Sequence, residues 1–241
     1  MTEPLAIRKD GSITILELNR PDKLNALNTE LTQQLVDALV AADRHDSVHV
    51  IVLAGAGRGF CAGADLKEFS HLTTDNPETV RKRAELTFRL QSLLPEIRKP
   101  IIAAAQGPAV GGGAGLVAGA DLAVAGASLK FGYPELKHNI VAALVMTGLS
   151  RAVGRKQAFE LLALRRLLTA TEALELGIVN RVVEDEALMT VAMDMAYSIA
   201  DVHPLAMQTT KELFYRVSEA TYPEAMRAGR DVNVIMRGFR G

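Results

Sequence analysis

The sequence predicts an α/β protein whose second half is mostly helical. Up to about residue 135, short apolar runs alternate with amphipathic segments, which is the pattern of strands followed by helices. Beyond that point apolar residues recur mainly at helical spacing. In the first half, apolar runs at residues 50–54 and 101–105 each lead into a glycine-bearing turn. A chain of 241 residues can form one large domain or a core with a small appendage.

Short runs of branched aliphatic residues and alanine, bounded by turn-forming residues, predict the strands. Asp10-Gly11 lies between the first two runs and is a hairpin signal. The turn residues at 19–25 predict a loop, and Pro100 restarts the chain before another strand. The strands are expected at residues 5–8, 13–18, 48–54, 101–105, 122–125, 129–131 and 179–182.

Helical periodicity and capping residues predict the helices. Asn28 or Thr29 can cap the first helix, in which Leu31, Leu35 and Leu39 fall on one face. Pro77 suits the first turn of a long second helix that ends near residue 97. The remaining helices are expected at residues 116–118, 143–152, 155–164, 171–176, 184–202, 204–218 and 223–236.

Composition excludes several classes of protein. The formal net charge of -1 provides no broad basic field, so nucleic acid is not the expected partner. Cys61 is the only cysteine, which excludes an intrachain disulfide and a cysteine-rich metal site. No basic segment followed by an apolar run stands at the start, so a cytoplasmic protein is expected. Residues 101–120 are uncharged, but their Gly and Ala content with Gln106 and Pro108 favours a buried strand, loop and helix over a membrane span.

The two glycine-bearing turns, residues 58–66 and 106–116, are the most informative feature for function. Each is expected to enter a helix, whose first backbone N–H groups lack intrahelical partners. Two such turns that converge on one oxygen would form an oxyanion hole. Gly111, Gly112 and Gly113 would leave those N–H groups uncovered. A close contact between helix and sheet would also explain the glycines.

Seven segments in chain order resemble the enoyl-CoA hydratase/isomerase (crotonase) family. They are residues 20–27, 59–66, 99–104, 107–115, 131–135, 153–158 and 170–180. The resemblance implies a spiral of strand–strand–helix units over residues 1–190. It implies a helical region at 191–241 that makes homotrimers, often paired into hexamers. It also implies an acyl-coenzyme A thioester substrate, with no further cofactor and no metal.

The resemblance also implies roles for individual residues. The thioester oxygen would sit between the N–H groups of Ala64 and Gly112, and each donor would contribute about 3 kcal/mol in the transition state. Glu135 would move the proton, although an exposed turn carboxylate is the ordinary alternative. The substrate would be bound mostly through backbone atoms by Lys23, Leu24, Ala26, Ala62, Gly63, Asp65, Leu66 and Gly111. Apolar residues near 69–90 and 138–147 would form the rest of the pocket wall.

The sequence departs from the hydratases at one position. Their second glutamate lies where this chain has Gly115, which cannot transfer a proton. Glu135 alone suits an isomerase, which removes a proton at one carbon and returns it at another. His138 lies three residues beyond Glu135 and could reach it, but a surface histidine is the simpler expectation.

Three alternatives to an isomerase stay open. The first is a 2-enoyl-CoA hydratase, and the second is a protein that binds acyl-CoA without catalysis. The third is a dinucleotide-binding oxidoreductase, because residues 113–118 fit Gly-x-Gly-x-x-Gly/Ala after a strand. That third reading is weakened because the strand at 122–125 has no acid at its tip and the intervening helix is too short for a crossover.

Overall fold

The computed structural model describes residues 3–240 and contains two sheets. The larger has strands in the order β1-β2-β3-β4-β6-β9, and the smaller has the order β5-β7-β8. The strands are β1 Leu5–Asp10, β2 Ile13–Leu18, β3 Val50–Gly55, β4 Ile101–Ala105, β5 Pro108–Val110, β6 Leu122–Gly126, β7 Lys130–Gly132, β8 Leu167–Thr169 and β9 Arg181–Val183. β1 and β2 form the expected antiparallel hairpin, and every later pair in the larger sheet is parallel.

Within residues 3–240, ten α-helices connect and follow these strands. They are α1 Thr29–Arg44, α2 Leu66–Phe69, α3 Pro77–Glu96, α4 Gly112–Gly119, α5 Met146–Ala152, α6 Arg155–Leu164, α7 Ala170–Glu175, α8 Leu188–Ala200, α9 Pro204–Glu219 and α10 Tyr222–Ile235. Asn28 caps α1 by accepting a hydrogen bond from Leu31 N, as its position predicts. Short 3-10 turns occur at Pro21–Lys23, Glu135–His138, Asp185–Ala187 and Met236–Arg240.

Side-chain alternation along the central strands builds two apolar layers. In β3, Ile51 and Leu53 face one side, where they join a core with Leu35 of α1 and Leu94 of α3. The alternate residues face the other side and pack on α8: Val50, Val52 and Ala54 against Leu188, Ala192 and Ala196. Because β3 is buried on both faces, its sequence is a continuous apolar run instead of an alternating one.

The smaller sheet arises from a repeated unit in the chain. β4 is followed by β5 and α4, and β6 is followed by β7 and a 3-10 turn, so each long strand leads to a short one in a second layer. Cys61, after β3, makes an isolated parallel bridge to Ala109 in this layer. This repeat agrees with the strand–strand–helix units that the resemblance implies.

Several boundaries differ from the sequence predictions. β5 and β8 were not expected, whereas the helix expected to include residues 116–118 is present as α4. Three-residue strands have no periodicity of their own, because long-range pairing defines them. The helix expected from 143 begins at Met146, and β9 lies at 181–183 instead of 179–182. The helix expected over 184–202 is a 3-10 turn followed by α8.

Helix α9 is attached to the core by a buried lysine. Lys211 Nζ donates to Asp121 Oδ2 at 2.6 Å, to the Lys99 carbonyl at 3.1 Å and to the Leu94 carbonyl at 3.3 Å. Tyr215, one turn later, donates to Asp121 Oδ1 at 2.8 Å. The helical end of the chain is therefore confirmed as part of this packed structure. The division of the chain at residue 190 stays a prediction.

The topology argues against a dinucleotide-binding fold and against a membrane span at residues 101–120. In the larger sheet, strand order follows chain order without a reversal, so it lacks the switch point at which dinucleotide folds bind their ligand. No helix within residues 3–240 has the length and hydropathy needed to cross a membrane. Residues 101–120 form β4, β5 and α4, which is the buried strand, loop and helix expected of them.

Candidate active site

Three neighbouring chain segments end at the same edge of the second layer. β5 pairs in parallel with β7, and Cys61 bridges in parallel to Ala109 in the middle of β5. Segments that run side by side in one direction bring their carboxyl ends together. The residues that follow them are the turn at 62–64, Gly111 with Gly112, and Glu135. The topology therefore gathers the three groups predicted to carry the chemistry.

The first turn presents the backbone of Ala64. Gly63 precedes it with a φ of 83°, a left-handed conformation that glycine adopts without strain. Leu27 N donates to the Gly63 carbonyl at 2.7 Å, and Leu27 O accepts from Asp65 N at 3.2 Å. In such a parallel bridge the polar groups of Ala64 point away from Leu27. Within residues 3–240 no backbone acceptor takes the Ala64 N–H.

The second turn presents the backbone of Gly112. Gly111 has a φ of 54°, and its own N–H donates to the Gly132 carbonyl at 2.9 Å. Gly112 is the first residue of α4, so its N–H has no acceptor within the helix. A Cβ on Gly63 would lie 3.4 Å from Gly112 N and 2.8 Å from Val110 O. Glycine at 63 therefore allows the two turns to touch.

The two turns differ from the expected pair of helix starts. Gly112 does begin a helix, whereas Ala64 precedes Asp65, the N-cap of the four-residue helix α2. The Ala64 N–H is left unpaired by the bridge to Leu27 and not by a helix terminus. Ala64 and Gly112 nevertheless line one cavity.

Glu135 lies against the second turn. A Cβ on Gly111 would be 2.9 Å from Glu135 Oε1, so the carboxylate rests directly on the Gly111 backbone. Glu135 Oε2 is buried and has no hydrogen-bond partner among the described residues. Burial raises the pKa of Glu135 above its ordinary value. Burial and the nearby charge of Glu135 also raise the pKa of the Tyr133 hydroxyl. An unpaired, partly desolvated carboxylate is suited to act as a base.

These groups share a cavity of about 310 Å³. Its wall includes predicted site residues from all three segments: Ala62, Gly63, Ala64, Leu66, Gly111, Gly112 and Glu135. The apolar wall comes from segments 69–90 and 140–145, as expected, and includes Phe69, Leu72, Val80, Leu90, Ile140, Val141, Leu144 and Val145. Among the described lining residues, Glu135 is the only carboxylate.

Four predicted binding residues lie outside this wall, in or beside the loop that supports the first turn. Leu24 O accepts from Ala62 N at 2.8 Å, and Ala26 is buried. Lys23 is exposed at the end of a 3-10 turn. Asp65 forms an ion pair with Arg20 at 2.9 Å and caps α2. Burial alone would raise the pKa of Asp65, but the Arg20 and backbone N–H hydrogen bonds outweigh it and lower that pKa. A substrate role for these four residues stays a prediction.

Cys61 and His138 follow their simpler expectations. Cys61 is fully buried in the bridge to β5, and burial raises the pKa of its thiol to about 12. A thiol in that state is a packing group and a poor nucleophile. His138 is exposed at the rim of the cavity, and no hydrogen bond joins it to Glu135 in the described part of the chain.

Helix α3 adds polar residues to the cavity wall that were not identified from the sequence, among them Arg83 and Gln91. Arg83 donates to the Leu27 carbonyl at 3.0 Å and contacts Glu68 at 3.3 Å, so it supports the first turn. Burial lowers the pKa of Arg83. Gln91 donates through Nε2 to the Gly112 carbonyl at 3.3 Å. The sequence predicts only an amphipathic helix at both positions, because nothing in the local pattern connects them to turns that are far away in the chain.

Comparisons with known proteins agree with this architecture. The model of a family described as enoyl-CoA hydratase/isomerase matches residues 8–235. Enoyl-CoA hydratase EchA19 of Mycobacterium tuberculosis is 36% identical over 210 residues, covering 84% of this chain and 76% of that protein. The short-chain-enoyl-CoA hydratase of Clostridium acetobutylicum is 33% identical over 212 residues, covering 87% and 80%. A crystal structure of enoyl-CoA hydratase from Mycobacterium smegmatis has a TM-score of 0.92 at 33% identity, covering 97% and 91%. These likenesses confirm the expected fold.

Proposed function

Because the chain belongs to the enoyl-CoA hydratase/isomerase family, we propose that it catalyses the isomerisation of 3-enoyl-CoA to 2-enoyl-CoA thioesters with Glu135 as its single base. The observation that carries this proposal is that Glu135 is the sole carboxylate among the described residues of the cavity wall. Hydration of a double bond is easiest with two carboxylates that hold one water, whereas a double-bond shift needs one group that takes and returns a proton.

The proposed reaction has two steps. The thioester oxygen accepts hydrogen bonds from Ala64 N–H and Gly112 N–H, which form an oxyanion hole. Glu135 then removes a proton from C2, and the electron pair of that C–H bond moves into a dienolate whose negative charge lies on the thioester oxygen. The protonated Glu135 returns the proton to C4, so the double bond moves from C3–C4 to C2–C3. The raised pKa of Glu135 supports the first of these proton transfers, since it makes the carboxylate a stronger base.

Hydration of 2-enoyl-CoA is the second candidate. It is favoured by the names of the relatives, since EchA19 and the Clostridium acetobutylicum protein are both enoyl-CoA hydratases. The two reactions would share the oxyanion hole and differ in the group that handles the second proton.

The test compares 3-hexenoyl-CoA and 2-hexenoyl-CoA as substrates of the same preparation. Isomerisation of the first without accumulation of a 3-hydroxyacyl product supports the proposal, whereas hydration of the second without isomerisation contradicts it. Exchange of the C2 protons of butanoyl-CoA in D2O, followed by NMR, reports enolate formation in either case. A chain that binds butanoyl-CoA but exchanges nothing would be a binding protein.

We also propose that the chain forms a homotrimer, alone or paired into a hexamer. The proposal rests on the family resemblance and on large apolar side chains that the last helices leave exposed, including Phe214, Tyr222, Met226, Val234 and Ile235. Exposed apolar groups in such number are typical of an interface. Light scattering after size-exclusion chromatography should give three or six times the mass of 25.9 kDa, and a monomer would contradict the proposal.

A further inference from the structure

Gln91 occupies the space that a side chain at position 115 would need. A Cβ on Gly115 would lie 2.5 Å from Gln91 Oε1 and 3.0 Å from both Cδ and Nε2, so the carboxamide lies flat on the Gly115 backbone. Gly115 is buried and forms part of the wall of a neighbouring cavity, whereas Gln91 borders both that cavity and the one that holds Glu135. The polar group that lies beside position 115 is therefore the Gln91 carboxamide of α3, and α4 supplies none there.

Packing alone does not explain a carboxamide here. One turn further along both helices, Gly119 of α4 makes the same contact with Leu94, whose Cδ1 would be 2.6 Å from an added Cβ. An apolar side chain thus fills the equivalent groove, as ridge-and-groove packing of helices prefers. A partly buried amide costs desolvation unless it makes hydrogen bonds. Gln91 makes one in the described structure, to the Gly112 carbonyl, and its Oε1 is left for another partner.

The base lies against the N-cap of α4, and the carboxamide lies against the first turn of that helix. Glu135 Oε1 lies over Gly111 and Gln91 Oε1 lies over Gly115. These two glycines are four residues apart, close to one helical turn of about 5.4 Å. Gln91 and Glu135 also line the cavity that Ala64 and Gly112 border.

We propose that Gln91 is a positioning residue of the active site, which holds the reacting part of the acyl group or a water beside it while Glu135 transfers the proton. The inference rests on the proposed function. An amide donates and accepts hydrogen bonds but does not titrate, so Gln91 orients the ligand and leaves the site with a single base.

Two substitutions at position 91 test the proposal. Gln91→Leu keeps the packing that Leu94 shows and should lower kcat/KM at least tenfold without moving the pH profile or lowering the melting temperature. Gln91→Glu should add a second ionisation to the profile and raise hydration of 2-hexenoyl-CoA at least tenfold relative to isomerisation. Glu85→Gln, on the exposed side of α3, is the control that should change nothing. Unchanged kcat/KM in Gln91→Leu, or an unchanged profile in Gln91→Glu, would overturn the proposal.

Gly115→Ala adds an independent arm, because its methyl group would displace the Gln91 carboxamide without altering residue 91. If both changes act through that carboxamide, the double variant with Gln91→Leu should be no slower than the slower single variant. If the loss of activity in the double variant equals the product of the two single losses, the inference is contradicted.

If the wild type hydrates instead of isomerising, the proposed reaction fails, but C2 exchange still measures the role of Gln91. If it does not turn over at all, equal butanoyl-CoA affinities of wild type and Gln91→Leu would overturn the inference.

Discussion

Glu135 is the residue on which the proposed chemistry depends most directly. Glu135→Gln keeps the shape of the side chain and removes the base, so kcat should fall by about 10²- to 10⁴-fold. Butanoyl-CoA affinity should change little, because the thioester oxygen is bound by backbone amides. Glu160→Gln, exposed on α6, is the matched control. Full activity of Glu135→Gln would show that another group moves the proton.

The same substitution should make the protein more stable at neutral pH. Burial raises the pKa of Glu135 in the folded state, so the folded protein favours the protonated acid. Stability from this group is therefore complete below the unfolded pKa of about 4.3 and is lost as pH rises through the folded pKa. Glu135→Gln removes that loss. Its melting temperature should exceed that of the wild type at pH 7.5, and the difference should shrink toward pH 4.

Activity should show the opposite dependence on pH, since the base must be ionised. On the acidic side, kcat/KM should decline at a pH above the ordinary pKa range of glutamate, because the pKa of Glu135 in the folded protein is raised. A limb at or below pH 4.3 in the wild type would contradict the assignment of Glu135.

Gly113 shows why a glycine is needed where α4 meets the first turn. A Cβ there would be 2.7 Å from Cys61 Cβ and would overlap the Cys61 carbonyl oxygen. Gly113→Ala should therefore destabilise the protein by about 1–3 kcal/mol. Gly229→Ala in α10 has no atom within 4 Å of its added Cβ and should stabilise by about 0.5–1 kcal/mol. Urea unfolding at fixed protein concentration measures both, and equal effects would refute the packing argument.

Among the elements, α9 depends on one buried cation. Lys211→Met leaves Asp121 with hydrogen bonds from Tyr215 and Ile101 N but without its ion partner. Removing one member of a buried pair costs about 3–5 kcal/mol. Arg81→Met breaks an exposed pair with Glu78 and should change stability by less than about 1 kcal/mol. Thermal unfolding compares the two, and similar small losses would mean that α9 docks through its apolar contacts.

The elements predicted best from sequence are those with periodicity of their own. The hairpin, α1, β3 and β4 were identified because alternation, capping and apolar runs are local signals. β5 was missed because Pro108–Val110 becomes a strand only through β7 and Cys61, which lie elsewhere in the chain. Ala64, Gly112 and Glu135, which the family motifs single out in these segments, nevertheless line one cavity, and their catalytic roles stay predictions.

The polar wall of the site could not be predicted for a related reason. The role proposed for Gln91 depends on the absence of a side chain at Gly115 and on the packing of α3 against α4 at that point. Neither fact is visible in the sequence around residue 91, which reads as an ordinary amphipathic helix. Lys23 was a motif-based prediction whose side chain lies in an exposed turn, outside the cavity wall.

At the scale of the whole molecule, the linear strand order has a consequence for biosynthesis. Each strand of the larger sheet is laid beside an edge that earlier residues have already formed. No strand has to wait for a later one to create its neighbour, so nascent chains can begin to fold from the amino end while translation continues. The groups around Glu135 would then be assembled well before Lys211 emerges from the ribosome and fastens the last helices in place.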